Sequence, residues 1–475
     1  MPQKIKFGTD GWRGVIAEDY TYKNVAIVAQ AISDYLNGLK NNQGARIKKK
    51  VVALGYDTRF MSKDFAEAVS CVLAANKIQV LLSADYLPTP AISLAAREKS
   101  TCGGIMITAS HNPAVFNGIK IKTTDGASAD TKITNLIEAQ LNKHSVKQIA
   151  YNEAKKKGLI KETDFIKDYI KHIKKFIDFK VINKSRAHIA LDAMYGSADK
   201  IIKKVLKNSR IKLKYINSRP RCDFGGIKPE PIEENLLDLK QVLSKSRFSA
   251  GLATDGDADR LGVMTEKGRF INSSEAFALI IKYFLDKDET NFKIGKTVSC
   301  SELISRLAID RGLQVTQTPI GFKYLADLII DKKIDYACEE SGGIGIGKYL
   351  PERDGVLSQL LLIEMMAFYG KSIGQIMKTV DKKYGRFYYK RLDLKYDRTK
   401  KKKVMQAISP KNIKKIIGID VKIVISTDGI KYILKDSSWL LFRFSGTEPI
   451  LRIYAESNSA EKTAKIISFA KKKAS

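Results

Sequence analysis

The chain has 475 residues, 44% of them hydrophobic and 28% charged, and a formal net charge of +32. That length exceeds what one hydrophobic core organises, so about three or four domains are expected, and the composition excludes a disordered polymer. The most apolar helical stretch, residues 357–368, is too short to span a bilayer and carries Glu364, and residues 1–6 lack the apolar core of a signal peptide, so a cytoplasmic protein away from membranes is expected.

In chain order, residues 6–15 place three glycines around Trp12 and Arg13, a stiff loop whose guanidinium could meet a phosphate or simply sit at the surface. Residues 24–36 carry apolar side chains at helical spacing behind an Asn24 cap. Residues 51–56 read as a buried strand ending in Asp57-Thr58-Arg59; 64–76 read as a helix, 78–82 as a strand and 91–99 as a helix. This alternation predicts α/β crossover units. The apolar run at 102–107 then breaks into Thr108-Ala109-Ser110-His111-Asn112-Pro113. A serine is presented where a strand ends, beside an imidazole, and Asn112-Pro113 signals a turn. By itself this is either a turn-forming hydroxyl or a reacting atom. Lys120 follows on the next strand, 117–122.

A second unit begins with a helix at 164–177 and alternates again through strands at 188–192 and 212–216 and a helix at 236–244. Its strand at 248–254 ends in Asp255-Gly256-Asp257-Ala258-Asp259-Arg260. Three carboxylates at alternate positions repel one another unless a cation joins them, and short-loop oxygen ligands suit Mg2+ or Ca2+. Asp255, Asp257, Asp259 and Glu266 fit positions 1, 3, 5 and 12 of an EF-hand, but the sixth position is Arg260, not glycine, and the flanks read as strands.

A third unit starts near Leu261, with a helix at 277–284, a strand at 297–300, a helix at 303–311 and a strand at 315–319 that opens into Ile320-Gly321-Phe322-Lys323. A strand at 334–338 leads to Glu339-Glu340-Ser341-Gly342-Gly343, acids and a hydroxyl suited either to sugar hydroxyls or to solvent. Residues 342–348 nearly form a phosphate-binding G-x-x-x-x-G-K loop, but Tyr349 replaces the hydroxyl residue and Pro351 interrupts the helix, which excludes that reading. After Glu352-Arg353-Asp354-Gly355 and a helix at 356–369, residues 385–397 read as the crossing into a last unit. There, short strands at 421–426, 432–435 and 439–444 end in Arg443-Phe444-Ser445-Gly446-Thr447, with Arg452 close behind, and a final helix spans 460–472. Two arginines, two hydroxyls and amides round a glycine make a dianion clamp.

The five cysteines form no C-x-x-C pair and read as reduced thiols. Lysines are spread along the whole chain, densest at 48–50, 400–403 and 471–473 in loop-like or terminal segments, without the interleaved aromatics of a single-strand platform. They read as a solvated surface that steers anionic substrates, with nucleic-acid binding as the non-enzyme rival.

Taken in order, Thr108–Pro113, Asp255–Arg260, Glu339–Gly343 and Arg443–Pro449 resemble the α-D-phosphohexomutases, the family of phosphoglucomutase and phosphomannomutase, along nearly the whole chain. The resemblance implies an α/β fold: three related α/β units with mixed sheets and a smaller C-terminal α+β domain with an antiparallel sheet, round a central cleft. The expected domains are 1–155, 156–257, 258–375 and 376–475. It also implies a phosphoryl group on Ser110, and Mg2+ bound by that phosphate, Asp255, Asp257 and Asp259. Glucose 1-phosphate and glucose 6-phosphate would interconvert through glucose 1,6-bisphosphate, which also serves as activator. Arg443, Ser445, Gly446, Thr447 and Arg452 would hold the idle phosphate, and Glu339 and Ser341 would read sugar hydroxyls. Arg13, Lys120, Arg260 and Lys323 would surround the transferring group, with His111 as a proton handler or hydrogen-bond partner of the serine. Gly343 stands where mannose-active and glucosamine-active members often have histidine, which favours glucose, with mannose phosphates as further candidates. Phosphomannomutase, phosphoglucosamine mutase and a Mg2+-dependent sugar phosphatase are the alternatives. Arg353 replaces a lysine that would serve as base, and an arginine stays protonated. A monomer or dimer acting on a small phosphosugar, with neither nucleic acid nor membrane as partner, is expected.

Overall fold

The computed structural model describes residues 5–8, 11–39, 50–99, 101–445 and 449–474. The first sheet has six strands in the spatial order Trp12–Val15, Phe116–Lys122, Gly104–Ile107, Lys50–Tyr56, Ile78–Ser83, Ile160–Thr163. The second runs Phe270–Ile271, Leu261–Thr265, Ala250–Thr254, His188–Asp192, Lys212–Ile216. The third runs Val315–Thr318, Ile294–Thr297, Tyr336–Cys338, Ile344–Ile346, Leu350–Arg353.

These mixed sheets share one plan. In each, three neighbouring strands are parallel, joined in the first sheet by a fourth, Ile160–Thr163, and one of them turns back into two antiparallel strands at the edge. The loop at that reversal is 108–115 in the first unit, 255–260 in the second and 339–343 in the third. Ser110, the three aspartates and Glu339 with Ser341 therefore occupy equivalent places in three copies of one topology. Strands feeding these loops are buried on both faces, as in Ala250–Thr254, whose five residues are all buried.

Alternation along Lys50–Tyr56 sends Val52 and Leu54 into one core and Ala53 into another. Helices Tyr22–Gly38 and Ser62–Ala75 cover the first face, while Thr89–Glu98 covers the second. This second core continues into the next two units and surrounds helix Gly355–Tyr369, whose first twelve residues are buried on every side. No single helix among the described residues is long and apolar enough to cross a membrane. The last unit is an antiparallel sheet in the order Tyr388–Lys395, Ile450–Ser457, Trp439–Phe444, Ile430–Leu434, Ile419–Ile425, Lys415–Ile416, packed under helix Ala460–Ala474. It docks on the third unit through Val298, Ile320, Trp439, Leu441 and Tyr454.

Several expectations change. The first helix is capped by Thr21, whose hydroxyl accepts from Asn24 N, while the Asn24 amide donates to Asp19 O. The strand expected at 297–300 is Ile294–Thr297, because Ile294 is in register with Val315 and Tyr336 on either side. Residues 385–397 hold the first strand of the last sheet, and 401–403 open a short helix whose Val404 reaches the core. Two expected domain boundaries cut sheets. Ile160–Thr163 pairs with Ile78–Ser83 of the first unit, and Leu261–Thr265 pairs with Ala250–Thr254 of the second. Backbone pairing decides membership here, and nothing in composition marks it.

Asp192 ends a central strand of the second sheet, 2% exposed, and accepts hydrogen bonds from Met194 N at 2.8 Å and Asn217 Nδ2 at 3.4 Å. Burial pushes its pKa up to about 6. Because the folded value lies above the unfolded one, its contribution is complete below the unfolded value and fades as pH rises through about 6. Asp192→Asn removes that loss. Its stability relative to the parent chain is expected to grow by about 2–3 kcal/mol between about pH 4 and about pH 7.5. Thermal unfolding at both pH values checks this, and a difference independent of pH would contradict it.

Candidate active site

Ser110 lies 2% exposed at the start of its loop, in the left-handed region at φ 52°. A non-glycine residue held there costs on the order of 1–3 kcal/mol and needs surrounding structure to keep it. Its Oγ donates to Asp255 Oδ2 at 2.9 Å, across the junction of the first two units, and is 3.4 Å from His111 Nδ1. Burial, then the charges of Arg260, Arg13, Lys228 and Lys120, holds the His111 pKa well below its usual value, so the ring is neutral at pH 7. Arg13 reaches the same loop, donating to Asn112 Oδ1 at 2.7 Å. Gly256 permits the close approach of the two loops: a Cβ there would lie 2.9 Å from the Ser110 carbonyl oxygen.

Asp255, Asp257 and Asp259 are fully buried, and one oxygen of each lies within 4.8 Å of the others. Lys120 Nζ donates to Asp257 Oδ2 at 2.8 Å and Asp259 Oδ2 at 2.9 Å, and Thr89 Oγ1 donates to Asp257 Oδ2 at 2.5 Å. Burial first, then the neighbouring Asp257 and Asp259 charges, raises the Asp255 pKa well above the carboxylate range. Burial also works to raise that of Asp257, but the Lys120 charge and hydrogen bonds from Lys120 and Thr89 leave it lowered. Asp257 Oδ1 and Asp259 Oδ1 are buried without a hydrogen-bond partner. Two bare carboxylate oxygens beside a third acid are costly unless a cation joins them, so this donor set fits a hard divalent ion.

In the third unit, Glu339 is 6% exposed, and Arg353 bridges it to the aspartates: Nη1 lies 3.4 Å from Glu339 Oε2 and Nη2 lies 2.8 Å from Asp259 Oδ2. Burial raises the Glu339 pKa, and the Arg353 charge opposes this. The Ser341 hydroxyl is buried on the same loop. Gly342, at φ 103°, lets its carbonyl accept from Leu261 N at 2.9 Å, which ties the Glu339 loop to the strand behind the aspartates. Arg260 Nη1 lies 3.4 Å from Glu230 Oε1, and Arg260 N donates to Asp255 Oδ1 at 3.1 Å.

Arg443 and Arg452 are paired across neighbouring strands of the last sheet. Like charges directly opposite repel unless an anion lies between them. Arg443 Nε donates to Asp428 Oδ2 at 2.8 Å, while Arg452 Nε lies 3.9 Å from Asp393 Oδ2 and has no hydrogen-bond partner. Ser445 N donates to Ile450 O at 2.8 Å. Gly446 and Thr447 lie outside the described residues. Lys323 is bonded to Thr131 Oγ1 of the first unit, not to the acidic cluster.

The structure thus gathers Ser110, His111, Arg13, Lys120, the three aspartates, Arg260 and Glu339. It also adds residues that the sequence left without a role: Thr89, Thr108, Asp57 and Arg59. Asp57-Thr58-Arg59 closes a buried strand, and an acid and an arginine two residues apart at a strand end were the available signal.

Models of the phosphoglucomutase/phosphomannomutase domains match in order: alpha/beta/alpha domain I over residues 4–148, domain II over 167–268, domain III over 272–384, and the C-terminal domain over 394–472. The chain is 29% identical to a phosphoglucomutase/phosphomannomutase of Thermococcus kodakarensis, over 96% of this chain and 95% of that one. It is 30% identical to a probable phosphoglucosamine mutase of Methanosphaera stadtmanae over the same shares. The crystal structure of a putative phosphomannomutase from Thermus thermophilus superposes with a TM-score of 0.86 at 30% identity, covering 99% of each chain. With all four domains matched and a buried serine set against an aspartate trio, the chain belongs to the phosphoglucomutase/phosphomannomutase family of phosphohexomutases.

Proposed function

We propose that this phosphohexomutase interconverts glucose 1-phosphate and glucose 6-phosphate, with Ser110 as the phosphoryl carrier. The observation that carries the reading is the 2.9 Å contact between Ser110 Oγ and Asp255, inside an acidic cluster that has orphaned oxygens and is ringed by fixed cations. In the first half-reaction, the bond from phosphorus to Ser110 Oγ breaks as a bond to a sugar hydroxyl oxygen forms. Neutral His111 takes the hydroxyl proton and passes it to the departing Ser110 Oγ, which lies 3.4 Å from its Nδ1. The glucose 1,6-bisphosphate so formed turns in the cleft. The other phosphate then leaves its sugar oxygen for Ser110, with the proton transfers reversed. Free glucose 1,6-bisphosphate would phosphorylate Ser110 in the same way and so act as activator.

Uncatalysed transfer is so slow that roughly 20 kcal/mol or more of barrier lowering is required, most of it from positioning and charge. Lys120, Arg13 and Arg260 would stabilise the charge on the transferring oxygens, and Lys323 would join them once released from Thr131. Arg443, Ser445, Gly446, Thr447 and Arg452 would hold the idle phosphate, while Glu339 and Ser341 read hydroxyls common to both orientations. Asp255, Asp257, Asp259 and the Ser110 oxygen would hold Mg2+, which when bound supplies positive charge at the transferring phosphate.

Arg353 is not the base, because it stays protonated and is tied to Asp259 and Glu339. It also supports the glucose reading. A Cβ at Gly343 would lie 2.3 Å from Arg353 Cδ, so the arginine stem fills the space that a larger residue at 343 would need. The likeness to a phosphoglucosamine mutase favours a second substrate class. Assays on glucose, mannose and glucosamine 1-phosphates decide: kcat/KM for glucose 1-phosphate is expected to exceed the other two by about tenfold or more. A preference for glucosamine phosphate would replace this reading, and net phosphate release without isomerisation would indicate a phosphatase.

A further inference from the structure

We propose that Arg59 is the positioning residue that holds Ser110 in its reacting attitude, with Asp57 as its anchor; this rests on Ser110 being the phosphoryl carrier. The Arg59 guanidinium is sealed beneath the Ser110 loop. Its Nη2 donates to the carbonyl oxygens of Ser110 at 2.5 Å and Asn112 at 2.7 Å, and its Nη1 to those of Pro113 at 2.9 Å and Phe116 at 3.0 Å. One side chain thus grips four carbonyls of a loop that would otherwise have to satisfy them within its own backbone.

Asp57 completes the grip from the other side. Its Oδ2 lies 3.2 Å from Arg59 Nε and accepts from Thr108 Oγ1 at 2.5 Å, while its Oδ1 accepts from Ser62 Oγ at 2.8 Å. Thr108 Oγ1 in turn accepts from Ser110 N at 2.9 Å. Both peptide groups of Ser110 are therefore tied to this pair, the carbonyl directly and the N–H through Thr108. That over-determination keeps Ser110 at φ 52°, where an unsupported loop would relax. The guanidinium carbon also lies 4.8 Å from the Phe224 ring centroid. A Cβ on Gly256 would meet the same ring at 3.3 Å, so the support for the serine is shared with the aspartate loop. A planar fork can span four carbonyls; the compact ammonium of a lysine cannot. Every hydrogen bond described for the Arg59 guanidinium is to backbone oxygen, so it acts through Ser110 and not on the sugar.

The test compares Arg59→Lys and Asp57→Asn with the parent enzyme. It reads glucose 1-phosphate turnover, the rate at which glucose 1,6-bisphosphate phosphorylates Ser110 by intact mass, and thermal unfolding. Folded variants are expected to lose about 100-fold in kcat, with KM within about twofold and Ser110 phosphorylation slowed by the same factor as kcat. Structural damage alone would lower the amount of phosphorylatable enzyme, not the rate per phosphorylatable molecule. A folded Arg59→Lys enzyme with kcat within about threefold of the parent overturns the proposal. A rise in KM at unchanged kcat also overturns it, by placing Arg59 in substrate binding. Should Arg59→Lys not fold, Asp57→Asn decides on the same readouts. A parent enzyme that isomerises no phosphosugar and accepts no phosphate on Ser110 would remove the mutase reading itself, and this inference with it.

Discussion

Ser110→Ala is expected to lower turnover of glucose 1-phosphate by about 10⁴-fold or more while leaving the fold intact. The size follows from the chemistry: without Oγ there is no carrier, and the bisphosphate cannot form from a stored phosphoryl group. The mild effect on stability follows from the contacts. The hydroxyl donates one hydrogen bond, to Asp255 Oδ2, and its loss costs about 1 kcal/mol. The backbone of residue 110 stays held by Arg59 and Thr108 in either case. Turnover, intact mass after exposure to glucose 1,6-bisphosphate, and thermal unfolding check the three parts. Undiminished turnover in the alanine variant would take Ser110 out of the reaction.

Metal removal has the second largest expected effect. Chelation should lower activity by about 100-fold or more, and added Mg2+ should restore it. The physical reason is the charge count in a dry site. Three buried carboxylates face Lys120, Arg353 and, at 4.0 Å, Arg260, and two of their oxygens accept no hydrogen bond. A phosphate arriving on Ser110 brings further negative charge to these orphaned oxygens, which a divalent cation held there would offset. A readout independent of turnover exists. Mg2+ at about 100 times its dissociation constant should stabilise the folded enzyme by about 2.7 kcal/mol, seen as a higher melting temperature. Asp257→Asn should abolish most of that shift. Unaltered melting with and without Mg2+ in the parent enzyme would rule out the aspartate site as its place of binding.

Much of the fold was legible because its signals are local. Buried strands such as Ala250–Thr254 are continuous apolar runs, and helices such as Glu302–Asp310 repeat apolar residues at helical spacing. The structure departs from those signals where pairing overrides composition. Leu261–Thr265 reads as the opening of a new unit, yet it is the antiparallel return strand of the second sheet. Thr297–Cys300 carries the expected β character, but strand register stops at Thr297. In the sequence Arg59 is only an arginine after a strand, because what matters about it is four backbone oxygens 51 to 57 residues away.

Readable along the chain alone are the chemical types and their order: a serine at a strand end, three alternate aspartates, a Glu-Glu-Ser stretch, and two arginines on either side of a glycine. Spacing of residue types is a one-dimensional property, so it can be read directly. That the first three motifs sit at the same reversal point of three equivalent sheets, so that Ser110 Oγ meets Asp255 across 145 residues of chain, follows from the folded arrangement alone. The fold likewise places Arg353, at the edge of the third sheet, between the Glu339 loop and the aspartates. Such contacts depend on how whole units pack through a shared core, and packing between distant segments leaves no periodicity in either of them.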